Sequence, residues 1–335
     1  MSHVLTVESL GSPGMARASG TRLGKAQHRR AAARGAGEPL CGSLYDEVTA
    51  RIISELEEGR FPWVQPWEAT AALPGLPRNA TTGLAYSGVN VLILWGAVIT
   101  RAYPHQGWLT FRQALAAGGC VRKGEQGVTL CYADRFTPEA EKLRSAEQGD
   151  AARAIPFLKR FVVFNVAQCD GLPEQYSVDA PPLPERELMP VAENLIDATG
   201  ADFRIGGARA FYNPSEDFVQ VPPQPAFDQQ INFYRTALHE LAHWTGHTSR
   251  LARSFGARFG NTAYAREELC AELTSAYLCA ALGIVPTVRH ADYLGSWLAV
   301  LREDSRAIFK AASQASKAAD YLLAFTASAE LERST

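Results

Sequence analysis

The sequence predicts an α+β chain of two domains: a mixed α/β domain over residues 41–180, and a mainly helical domain with a small sheet over 185–330. Three observations carry this expectation. At 335 residues and 47% hydrophobic content, the chain is long enough to bury more than one sizeable core. Apolar residues recur at three- and four-residue steps through most of the second half, whereas the first half alternates helical stretches with short β-rich runs. Residues 1–40 have no such periodicity; they are rich in Gly, Ala, Ser and Arg, carry six basic residues against two acids, and read as a disordered basic tail.

The first domain opens with Leu44, Val48, Ile52 and Leu56, the stripe of an amphipathic helix that Gly59 ends. Strand-like runs follow at Val128 to Tyr132 and Arg160 to Val166. The longest apolar stretch, Val89 to Thr100, holds Asn90 and Gly96 and falls short of the roughly 20 residues needed to span a bilayer. Met1 to Gly14 lacks a basic stretch followed by a clean apolar one, so no secretory signal is read and a cytoplasmic location is expected. The six cysteines show neither paired metal-ligand spacing nor the density of a disulfide scaffold, so they are expected to be reduced and mostly buried.

In the second domain, Ala208 to Asn213 and Asp217 to Val221 read as two short strands. Such a hairpin either completes a small sheet or offers an edge to an extended peptide. Asp228 is a reasonable N-cap for a helix whose buried stripe is Ile231, Tyr234, Leu238 and Leu241, with Gly246 as its stop. A second helix, Tyr264 to Gly283, buries Leu269, Leu273, Ala276, Tyr277 and Ala280. Further helices from Arg289 to about Leu301 and from Ser305 to about Phe325 brace these two, with His290 and Asp292 near a helix start.

The first of these helices contains His239-Glu-Leu-Ala-His243. Residues four apart stack on one helix face, so His239 and His243 can share one ion, while Glu240 sits about 100° round, where a general base beside a metal-activated water belongs. The alternative is an ordinary amphipathic helix whose polar side faces water or a partner. A third ligand is needed. A histidine six residues beyond the second would serve, but that position is Ser249, and His247 is out of phase. The following helix offers Glu268 and Glu272, four apart, whose mutual repulsion a divalent cation would offset. Glu268 is assigned as ligand and Glu272 as the carboxylate that fixes a histidine tautomer; the reverse is possible, and Glu267 is the third choice. Two imidazoles, one carboxylate and an open position suit zinc, although manganese or iron fit the same ligands. With Glu240 taking the proton, the reaction class is peptide hydrolysis.

Charge offers no overall positive field in the first domain, since residues 41–180 carry 13 basic and 15 acidic side chains. The signal is local. Between Arg78 and Leu130, Arg78, Arg101, Arg112, Arg122 and Lys123 face one acid, Glu125, and are interleaved with Tyr86, Trp95, Tyr103, Trp108 and Phe111. Aromatics that stack on unpaired bases, beside cations that track phosphates, suit single strands; the alternative is that these rings are core.

Taken together, the motifs resemble the ArdC-type antirestriction proteins of conjugative plasmids and other mobile elements. In the first domain the likeness rests on Pro62-Trp63 with Pro66-Trp67, Asn79 to Gly83, Tyr86-Ser-Gly-Val-Asn90, Trp108 to Ala114, Gly119 to Glu125 and Phe161 to Val166. In the second it rests on His239 to His247, Ser249-Arg-Leu251, Tyr264 to Glu268 and Arg289 to Tyr293. The resemblance implies an N-terminal single-stranded-DNA-binding domain, a C-terminal zincin-like metallopeptidase domain with one zinc per chain, and protection of incoming DNA from restriction. The DNA-contact set expected on this reading is Trp63, Trp67, Arg78, Asn79, Tyr86, Asn90, Trp108, Arg112, Arg122 and Lys123. Two functions stay open: a peptidase that binds single-stranded DNA, with a protein substrate, and a DNA-coating protein whose zinc site is structural or vestigial.

Overall fold

The computed structural model describes residues 43–64, 72–73, 75–136, 138, 144–145, 155–176, 185–227, 229–254, 261–285 and 293–334. The basic tail, Trp67, Asp228, His290 and Asp292 lie outside the described residues.

The first helix, α1 (Leu44–Glu57), starts at a capping box in which the Ser43 side chain and Asp46 satisfy each other's backbone N–H groups. Leu44, Val48, Ile52 and Leu56 are its buried stripe, and Gly59 takes a positive φ of 72° just beyond its end. The apolar run forms α2 (Val89–Thr100), with every residue from Val91 to Val98 buried. A helix apolar all round is a core element here, and no helix among the described residues is long and apolar enough to cross a membrane.

Strands β1 (Arg78–Asn79), β2 (Gly107–Leu109), β4 (Val128–Phe136) and β5 (Ile155–Asn165) form a four-stranded sheet in the order β1-β2-β5-β4. Only the β1–β2 pair is parallel. Helix α3 (Phe111–Ala116) follows β2 behind a Thr110–Gln113 capping box, and β3 (Cys120–Val121) pairs separately with β6 (Cys169–Asp170). Asn90 of α2 clamps β4 by both of its amide atoms: Nδ2 donates to Cys131 O at 2.7 Å and Oδ1 accepts from Cys131 N at 2.9 Å.

The second domain opens with α4 (Glu185–Ala198) and a three-stranded sheet ordered β7-β9-β8, made of β7 (Asp202–Ile205), β8 (Phe211–Asn213) and β9 (Phe218–Val221). β9 runs parallel to β7 and antiparallel to β8, which leaves β8 at the edge. Helices α5 (Gln230–Thr245) and α6 (Asn261–Ala281) pack together, with α7 (Leu294–Glu303) and α8 (Ala307–Ser334) behind them. The α5 and α6 stripes named from the sequence are all buried, and Gly283 turns the chain at φ 72°.

One hydrophobic core runs through both domains. Trp63 meets Trp297 edge to face at 5.6 Å, Trp95 meets Tyr277 at 5.8 Å, and the Tyr277 hydroxyl donates to Gly88 O at 3.1 Å.

Candidate metal centre

α5 and α6 bring three donor groups together. His239, His243 and Glu268 each offer an atom such that all three lie within 4.8 Å of one another. His239 Nε2 is 3.6 Å from Glu268 Oε2, and His243 Nε2 is 3.5 Å from Glu268 Oε1. Donors bound tetrahedrally at 2.0–2.2 Å are separated by roughly 3.3–3.6 Å, and each imidazole lies at that distance from one of the two Glu268 oxygens, a donor set suited to a divalent ion.

Each imidazole has a second carboxylate behind it. His239 Nδ1 is 3.5 Å from Glu272 Oε2, and His243 Nδ1 is 3.3 Å from Glu267 Oε1. Glu267, the third choice of ligand on sequence grounds, therefore stands behind His243 as Glu272 stands behind His239. Such partners select the tautomer that leaves Nε2 to bind. Glu267 is itself gripped by Arg253, whose Nε lies 3.1 Å from Oε2 and whose Nη2 lies 2.5 Å from Oε1. Arg253 also donates to Thr245 Oγ1 at 2.6 Å and to Ala242 O at 2.7 Å. Gly246 is needed for this packing, because a Cβ there would lie 2.9 Å from Arg253 Nη2. Arg253 was not read from the sequence: it lies ten residues past the motif, and only the fold of the loop after α5 returns it to the helix.

Electrostatically the cluster is built for a cation. Burial alone would lower both imidazole pKa values, yet the carboxylates outweigh it: Glu268 and Glu272 push His239 up to about 10, and Glu267 and Glu268 push His243 up to about 9. Burial would raise Glu268, but the two imidazoles hold its carboxyl well below the usual range.

His239, Glu240 and His243 line a cleft of about 880 Å³ together with Glu267, Glu268 and Tyr212. One wall is the edge strand, from Arg209 to Tyr212 and Pro214. Arg250 fixes that wall to α5: its guanidinium lies 3.9 Å over the Trp244 ring and donates to Asp217 Oδ2 at 3.0 Å and Tyr212 Oη at 3.2 Å. At the opposite rim, the Tyr264 and Tyr293 hydroxyls are 3.0 Å apart. His247, out of phase for binding, pairs instead with Ser249 Oγ at 2.7 Å. Cys270 and Cys279 are buried on α6, which raises both thiols to about 12 and leaves them unreactive.

The expected DNA contacts fare differently. Trp63 and Trp108 are fully buried, so the expectation that they stack on bases is corrected: both rings are spent on the core. Asn90 is likewise committed to its β4 clamp, and Asn79 caps a turn by accepting from Thr81 N and Thr82 N while donating to Gln113. Tyr86 is half-buried against the core, and Arg78 is half-buried on β1. Arg122 clamps a loop through Glu125, Asp170 and Ala167 O. Arg112 and Lys123 are exposed. Beside Arg112, Phe111 (49% exposed) and Leu115 (51%) form an outward apolar stripe on α3. Gln113 ties that helix to the 79–82 turn through Thr81 Oγ1, and Leu84 follows at 72% exposure.

Comparisons with known proteins agree with this architecture. A family model described as a zincin-like metallopeptidase matches residues 190–314, and one described as the N-terminal domain of the anti-restriction factor ArdC matches residues 42–164. An uncharacterized Sinorhizobium fredii protein, y4eC, is 39% identical over 83% of this chain and 91% of its own length. An Escherichia coli DNA primase, TraC, is 39% identical over 84% of this chain, which spans only 27% of that longer protein. The metal-free crystal structure of the antirestriction protein ArdC from plasmid R388 has a TM-score of 0.71 and 40% identity, covering 86% of this chain and 99% of that one. Its Mn(II)-bound structure has a TM-score of 0.69 and 41% identity, covering 85% of this chain and 98% of that one. With a relative matched over nearly its whole length and both domain models matching this chain, it belongs to the ArdC family of antirestriction proteins.

Proposed function

We propose that this chain is an antirestriction protein that binds single-stranded DNA through its first domain and hydrolyses a peptide bond at a metal site in its second, acting in the cytoplasm. The observation that carries the peptidase reading is the convergence of His239, His243 and Glu268, each imidazole backed by a further carboxylate, in a cleft beside a strand edge. His239, His243 and Glu268 would hold the ion, zinc by donor chemistry; the Mn(II) structure of the R388 relative supports a divalent metal of this size. When bound, the ion supplies Lewis-acid polarisation of a carbonyl and acidifies water. Glu240 is the base that takes the proton and passes it to the leaving amine. Glu272 and Glu267 hold the imidazoles in register, and the β8 edge aligns an extended substrate by main-chain hydrogen bonds.

For DNA, the support is the exposed face of α3. Phe111, Leu115 and Arg112, with Lys123 nearby in sequence, offer apolar surface and positive charge to unpaired bases and phosphates.

The test has two arms. Bound zinc or manganese is counted per chain in the wild type and in His243→Ala; one equivalent falling to none supports the centre, and equal content in both overturns it. Glu240→Ala is then assayed for peptide cleavage and for antirestriction. Loss of both supports the enzyme, whereas retained antirestriction makes the chain a DNA-coating protein with a structural metal.

A further inference from the structure

The cleft has a charge pattern that the metal centre does not explain. Among the described residues that line it, the Arg and Lys side chains are Arg209 and Arg253. Arg253 is neutralised by Glu267. Arg209 is exposed, and no ion pair engages its guanidinium among the described residues. The nearby Arg204 is spent on Asp202, with Nη2 2.6 Å from Oδ2, and on the Phe218 ring, 3.7 Å beneath it.

The backbone at Arg209 is also held in place. It lies in the Gly206–Ala210 loop between β7 and β8. Gly206 N donates to Val221 O at 2.9 Å, and Gln220 Nε2 donates to Arg209 O at 3.4 Å. Gly207 adopts a φ of 67°, and a Cβ there would lie 2.7 Å from Gln220 Nε2, so the loop closes over that amide only with glycine. A recess of about 400 Å³, lined by Ala208, Arg209, Phe211 and Gln220, adjoins the main cleft and shares Arg209 and Phe211 with it. The Phe211 ring is buttressed edge to face by Phe218 at 5.8 Å.

We infer that Arg209, Phe211 and Gln220 form a subsite for an acidic side chain of an extended peptide lying along the β8 edge, displaced from the scissile bond. The inference rests on the peptidase reading above and names its substrate class. Of the two Arg side chains that line the cleft among the described residues, Arg253 is paired with Glu267, so Arg209 is the one left to attract an acid, at the strand's beginning. A guanidinium lining a recess with an aromatic wall matches a carboxylate on a short apolar stem.

The experiment uses the full-length Glu240→Gln protein loaded with zinc and fluorescent peptides of one length, with Glu, Gln or Lys at a single varied position, read by anisotropy. The Glu peptide is expected to bind about three- to tenfold tighter than its Gln counterpart at its best position. In the Arg209→Ala background this ratio falls to about one, and Arg209→Glu favours the Lys peptide. Equal binding of Glu and Gln peptides, or a ratio unchanged in Arg209→Ala, overturns the inference. So does a fall in oligonucleotide affinity in Arg209→Ala with the peptide ratio intact, which would give the cation to the nucleic-acid surface. Cleavage of the same peptides by the wild type is scored separately: no cleavage with retained acid selectivity sinks the peptidase reading and leaves the subsite.

Discussion

The two domains bury different kinds of unusual side chain. Both enclose large rings, Trp63, Trp95 and Trp108 in the first and Trp297 in the second, but among the described residues only the second buries carboxylates and imidazole, in His239, Glu240, Glu268 and Glu272, each no more than 8% exposed. Buried rings contribute stability in proportion to the surface they remove from water. Buried carboxylates next to one another cost stability unless a cation or hydrogen bonds compensate them. Aromatic richness in the first domain is therefore a packing device, and the site in the second is held against the grain of folding energetics.

That contrast is open to measurement. The largest effect belongs to Glu240→Gln, expected to reduce peptide hydrolysis by about 10²–10⁴-fold with metal content unchanged. Equal turnover in wild type and variant would leave the second domain without a catalytic base. Next, Trp63→Ala should lower unfolding free energy by about 3–5 kcal/mol in a denaturant titration, since the ring is fully enclosed. A specific loss of DNA affinity with normal stability would instead restore this ring to the binding face. Glu267→Gln is expected to weaken metal binding by about 10–100-fold through His243, read by competition with a chelator. In the first domain, Phe111→Ala should cost about 1–3 kcal/mol of single-strand affinity at unchanged thermal midpoint, because its ring is half in water already.

The smallest effect lies at the hinge of the cleft wall. Arg250, the chief cause, and Tyr212 hold the Asp217 carboxyl at about 2, below its ordinary 3.8. Its contribution to stability is therefore complete above about pH 4 and is lost as pH falls towards 2. Thermal midpoints of wild type and Asp217→Asn should differ by a constant amount at neutral pH and converge in acid. Asparagine is the apt replacement because position 217 has a φ of 55°, which Asn tolerates.

Helix periodicity made much of the frame legible: the stripes of α1, α5 and α6 and the stops at Gly59 and Gly283 follow from local rules. The i,i+4 spacing likewise pointed to His239, His243, Glu268 and Glu272 as groups that one inter-helix space can gather. What escaped was set by docking. Whether Glu267 or a neighbour reaches His243 depends on how α6 is rotated against α5, and Arg253 arrives through a loop with no periodicity. β7, which pairs with β9 on the side away from β8, alternates polar and apolar residues over only four positions, with Phe203 and Ile205 on one face, a run too short to stand out. Nor does a ring announce its own burial: Trp108 and Phe111 sit three residues apart in one motif, yet one is enclosed and the other half in solvent.

Tyr277 stands on the same helix as Glu268 and reaches across to Gly88, at the head of α2. A fragment cut near residue 180 would thus leave Trp95 without its ring partner and Gly88 without its hydroxyl. The halves should melt in a single cooperative step, with occupancy by metal in the second domain raising the melting point of the first as well.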